Sequence, residues 1–200
     1  MNDAHTQALP RPLFESERAA ETESPTDAEI RAAWQRPEVL FPAAVLALVT
    51  LVQLGVSPHG VIGAGFTATL VVLAAIDLRY HILPNRIVLP AAAIVLFLQL
   101  VFYPGDAAEW LVASLGAALF LGLPTLLIRS GIGMGDVKLA LLLGAMLGGD
   151  VVAALMIAFL SLWPVAIYLV VTQGWGARKQ SLPLGPSLAF GSILVLLLGG

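Results

Sequence analysis

The 200-residue chain contains no cysteine, and that absence removes three kinds of chemistry. A disulfide framework, a thiolate metal site and a cysteine nucleophile are all excluded. Charge is also scarce: Asp, Glu, Lys and Arg make up 12% of the residues, where a soluble domain carries about 25%. The ten Lys/Arg form no basic stripe and the net charge is −3, so nucleic acid is not an expected partner. Apolar residues are abundant instead. Hydrophobic residues account for 58% of the chain and the mean hydropathy is +0.91. That balance belongs to a polytopic membrane protein whose lipid surroundings are a direct partner.

The first 38 residues differ from the rest. They hold eight Asp/Glu against four Lys/Arg and few large apolar side chains. They read as a disordered acidic tail. No apolar core stands beside a cleavage site there, so the segment is not a signal peptide and the span after it reads as a retained anchor. Residues 39–200 read as one membrane-embedded domain.

A bilayer core takes about 20 apolar residues per helix. Seven apolar stretches fit, near 39–56, 60–78, 87–104, 108–128, 137–149, 151–172 and 182–199. The fifth is short, and Gly148-Gly149-Asp150 separates it from the sixth. The expected fold is therefore an all-α polytopic bundle of about seven transmembrane helices, with no internal repeat. Irregular backbone is expected near 131–135 and 182–186, where protein or water must cover it.

Positive residues collect on the cytoplasmic side of membranes. Arg11, Arg18, Arg31 and Arg36 lie in the tail, Arg79 and Arg86 follow the second stretch, Arg129 and Lys138 flank the glycine-rich motif that opens the fifth, and Arg178 and Lys179 precede the seventh. With seven spans and the tail inside, all ten fall on one side. The expected topology is a multi-pass protein of the cytoplasmic membrane with a cytoplasmic N-terminus.

On that topology Asp77 closes the second span and Asp136 opens the fifth. They are the only acidic residues on the cation-rich side outside the tail; Asp106, Glu109 and Asp150 belong to the opposite face. Two carboxylates at one depth form a candidate aspartyl dyad, in which one draws a proton from water and the other donates to a carbonyl oxygen. Gly133 and Gly135 allow close backbone approach beside Asp136. The plainer alternative for Asp136 is a helix N-cap, a role compatible with catalysis. Lys138 reads either as a neutraliser of substrate or lipid charge or as a snorkelling side chain. An alternative gathers Asp77, His81 and Asp136 around a metal. Against it, His81-Ile82-Leu83-Pro84 reads as a helix exit, and the preferred reading assigns no metal ligand and no cofactor.

Asp77 within DLRYHILPN, Gly133-Met134-Gly135-Asp136-Val137-Lys138, and Leu182-Pro183-Leu184-Gly185-Pro186 together resemble the prepilin peptidase family, GxGD-type membrane aspartyl proteases. The resemblance covers roughly residues 60–195. It implies that Asp77 and Asp136 are the catalytic pair and that Gly133, Gly135, Lys138, Pro183, Gly185 and Pro186 support them. It implies cleavage of the leader of type IV pilin-like precursors at the cytoplasmic face. The larger members carry an N-terminal region with paired cysteines tied to N-methylation, so that second activity is not carried over to a chain without cysteine. Two other readings remain open from sequence alone. One is a presenilin-like or signal-peptide-peptidase-like protease, although Asp77 follows Ile76 and residues 183–185 read Pro-Leu-Gly. The other is a small proton-coupled transporter, a class that often shows internal repeats.

Overall fold

A computed structural model describes residue 32 and residues 35–128, 133–173 and 184–199. These residues form seven α-helices and no strand: α1 (Pro37–Leu54), α2 (Pro58–Tyr80), α3 (Asn85–Phe102), α4 (Ala107–Ile128), α5 (Met134–Leu147), α6 (Val151–Gln173) and α7 (Leu184–Leu198). Short 3-10 turns at Pro104–Asp106 and Gly148–Asp150 precede α4 and α6. The protein is an all-α, multi-pass membrane protein. Among the described residues, five segments are long and apolar enough to cross a bilayer: Pro37–Leu54, Pro58–Tyr80, Asn85–Phe102, Pro104–Thr125, and Met134–Pro164, which runs through α5 into α6. Residues 1–31, 33 and 34 of the expected tail, the cations Arg129, Arg178 and Lys179, Pro183, and the irregular backbone expected at 131–132 and 182–183 lie outside the described residues.

The helix starts follow from local chemistry. Ser57 accepts the N–H of Gly60 at 3.0 Å, and Pro58 occupies the first turn of α2, where no N–H is needed. The helix breaks between α5 and α6 at Gly148, whose φ of 55° favours a residue without a Cβ.

α5 and α7, with 14 and 15 residues, are shorter than a bilayer helix. For α5 the reason is its position. Leu139, Ala140, Leu142, Leu143, Ala145 and Met146 are all buried, so the helix meets protein and its length need not match lipid. It packs mainly between α3 and α4. Gly144 lies against the backbone of Ala113 and Ser114, which brings α4 and α5 into close contact, and Gly191 lies equally close to Ala154 and Ala158 between α7 and α6. Small residues at such crossings let helix backbones approach, the usual means of association where lipid offers no hydrophobic driving force.

The two ends of the bundle differ in charge. One end holds Arg36, Arg79, Arg86 and Lys138, and it is tied together by the Arg79–Glu38 ion pair at 3.4 Å and by Lys138 to Asn85 at 2.8 Å. The other end carries Asp106, Glu109 and Asp150 and, among the described residues, no Lys or Arg. There Gly149 donates to Glu109 Oε1 at 2.9 Å, joining the α5–α6 turn to α4.

Candidate active site

Asp77 sits one turn before the end of α2. The helix continues to Tyr80 and stops at His81, whose left-handed backbone (φ 53°) returns its N–H to the Asp77 carbonyl. His81 therefore leaves the helix, in line with the exit read from His-Ile-Leu-Pro. Leu83 then turns inward and is buried. It packs on Gly135, where an added Cβ would stand 2.8 Å from the Leu83 Cβ. Gly135 thus serves the approach of the α2–α3 connection.

Asp136 is not the N-cap of α5. Gly133 holds that position, and Asp136 is the third helical residue, reaching back so that its Oδ2 accepts the Gly133 N–H at 3.3 Å. The sequence misled because Asp suits both positions: an acid at the third position satisfies the same orphan donors from inside the helix.

Asp77 receives the equivalent contact from a distant part of the chain. The N–H of Gly185, in the first turn of α7, donates to Asp77 Oδ2 at 3.0 Å in a buried hydrogen bond. Pro186 follows in the same turn, where the missing N–H costs nothing. Each aspartate is thus held by a glycine N–H at a helix start, and both are buried.

The two carboxylates line one cavity of about 290 Å³, together with His81, Ile82, Leu83, Asn85, Gly133, Met134, Gly135 and Lys138. The expected residues Asp77, Asp136, Gly133, Gly135 and Lys138 are therefore brought together, and Gly185 joins them through Asp77. Asn85 and Leu83 had no assigned role, although Asn85 closes the Asp-x6-Pro-Asn pattern that marks this connection. Among the described residues, no group of three or more His, Asp or Glu side chains is arranged to hold a metal.

Comparison with known proteins decides the family. The model of the type IV leader peptidase family matches residues 64–198. The chain belongs to that family. A relative named prepilin leader peptidase/N-methyltransferase, from Bacillus subtilis (strain 168), is 32% identical over 174 residues, covering 82% of this chain and 68% of that protein. A protein of the same name from Burkholderia pseudomallei (strain 1026b) is 29% identical over 180 residues, covering 82% of this chain and 57% of its own length. No solved structure matches. Family membership makes the chain a membrane protease of the aspartic type, and the presenilin-like and transporter readings give way to it. The region 64–198 spans Asp77, the Gly185 that donates to it, and Asp136, which shares its cavity.

Proposed function

We propose that this type IV leader peptidase removes the leader of prepilin-like precursors, with Asp77 and Asp136 as its catalytic pair. The observation that carries the proposal is the single cavity shared by two buried carboxylates at the cation-rich end of the bundle. Two carboxylates in one site do not both ionise readily, so one proton is shared between them. The ionised member takes a proton from water as the water oxygen attacks the scissile carbonyl carbon. The protonated member gives its proton to the carbonyl oxygen, forming a tetrahedral diol. Collapse of the diol breaks the C–N bond, and the leaving amine takes up the proton that came from water.

The support residues follow from the same geometry. Gly133 and Gly185 orient the carboxylates through their N–H groups, Gly135 seats the α2–α3 connection, and Pro186 sets the first turn of α7. Pro183 is included because it precedes that turn in the sequence. The positive-inside rule puts the dyad and the N-terminus on the cytoplasmic side of the cell membrane, with seven crossings and the residues before α1 as a tail outside the catalytic domain; α1 begins at Pro37, two residues inside the expected tail of 1–38. The names of the two relatives supply the substrate class. Their second named activity is not extended to this chain, which lacks cysteine.

The experiment is to co-express the chain with candidate precursors from its own genome and measure precursor mass. A mass loss equal to the leader supports the proposal. Intact precursors beside well-expressed enzyme count against it.

A further inference from the structure

Lys138 lies two positions beyond Asp136, roughly 200° away around α5, yet its long stem brings the ammonium to the cavity that Asp136 lines. There Nζ donates to Asn85 Oδ1 at 2.8 Å, across 53 positions of sequence. Asn85 is the first residue of α3, immediately after the connection that packs on Gly135. Among the described residues this neutral amide is the one partner of Lys138, and the ion pair found elsewhere at this end joins Arg79 to Glu38. The ammonium is therefore held by a neutral group, and among the described residues no carboxylate pairs with it directly. Among the described residues, two of its three N–H donors and both donors of the Asn85 amide have no partner. A peptide laid along the cavity offers the matching groups, because an extended backbone presents a carbonyl oxygen at every residue and has lost its sheet partners.

We propose that Asn85 is a positioning residue for substrate: it holds Lys138 at the cavity mouth so that both side chains donate to main-chain carbonyls next to the scissile bond. This rests on the proposed prepilin-type cleavage. A carboxylate in place of Asn85 would hold the ammonium equally well but cancel its charge, and charge-assisted hydrogen bonds are the stronger ones.

The test is steady-state cleavage of a model precursor by the full-length protein and by Asn85→Ala and Asn85→Asp. Direct binding of the same precursor is measured with Asp136→Asn, alone and combined with each Asn85 change. Both Asn85 variants should raise KM and weaken binding by about tenfold, the size expected for one charge-assisted contact, with kcat changed less than about twofold. Asn85→Asp is nearly isosteric, so it keeps the test decisive if Asn85→Ala folds poorly. Wild-type KM in Asn85→Asp would overturn the proposal, as would a fall in kcat at unchanged KM, which marks a prop for the dyad. Normal cleavage by wild type with unaltered binding by the Asn85 variants would overturn this inference alone. No cleavage by wild type would overturn the proposed function and this inference with it.

Discussion

Gly185 donates its N–H to Asp77 Oδ2 at 3.0 Å, linking the first turn of α7 to the last turns of α2 across 108 positions of sequence. Asp77 sits near the C-terminal end of its own helix, where the unpaired groups are carbonyls. Its carboxylate nevertheless faces a helix N-terminus, that of α7. Asp136 faces the N-terminus of α5, to which it belongs. The two carboxylates thus have matching backbone donors supplied by different means.

That contact leaves no room for a side chain at position 185. A Cβ there would stand 2.6 Å from Asp77 Oδ2. Gly185→Ala must displace the carboxylate or the start of α7. Cleavage by Gly185→Ala should fall about 100-fold, the cost expected when a catalytic group is misplaced by about 1 Å. The check is kcat on a model precursor at matched membrane expression, and activity within twofold of wild type would contradict the contact.

The two glycines of the GxGD motif should respond differently to alanine. At Gly135 the new Cβ would meet the Leu83 Cβ at 2.8 Å, and the connection from α2 to α3 would have to move. At Gly133 the nearest atom would be Asp136 Oδ2 at 3.4 Å, an ordinary contact, and φ there is −70°. Gly133→Ala should keep most activity, whereas Gly135→Ala should lose activity by about tenfold or more, an overpacking cost of about 1–3 kcal/mol acting on the site. Parallel assays of the two variants settle the order.

Much of the fold was legible in the sequence, since each of the seven apolar stretches corresponds to a helix and the four described cations, Arg36, Arg79, Arg86 and Lys138, lie at one end. The short fifth stretch was visible too, but its cause was not. Burial between α3 and α4 excuses α5 from lipid thickness, and no local pattern encodes that. The pair Asp77 and Asp136 was readable because charge is so rare in this chain that two acids at one depth stand out. The parts that were not readable depend on long-range packing: Gly185 on Asp77, Leu83 on Gly135 and Lys138 on Asn85 join positions more than 45 residues apart. The exchange of N-cap between Gly133 and Asp136 went unread for a local reason, because acids favour both the cap and the third helical position.

Metal removal should leave the enzyme active. In the proposed mechanism a carboxylate activates water by taking its proton, whereas a metal would do so by lowering the pKa of bound water. Purified protein after exhaustive chelation should cleave a model precursor at its original rate. Loss of activity that a divalent ion restores would move the chemistry to a metal held by Asp77, His81 and Asp136.

The tail should be dispensable for cleavage. Glu38, which pairs with Arg79, lies within α1, so deleting residues 1–34 keeps that ion pair. A segment with few large apolar residues adds little to a packed core. Turnover by the truncated protein, at normal expression, should match the full chain. A large loss would mean that the tail contacts substrate or site.

The most direct measurement of the central claim is cleavage of a purified precursor by wild type, Asp77→Asn and Asp136→Asn in one reconstituted preparation, followed by mass spectrometry. Asn keeps the shape and the glycine N–H contact with the amide oxygen but cannot exchange a proton with water. Each variant should insert in the membrane as wild type does and lose cleavage by about 10³-fold or more, since one remaining carboxylate cannot serve as both acid and base. Substantial release of the leader by either variant, at wild-type protein levels, would contradict the dyad.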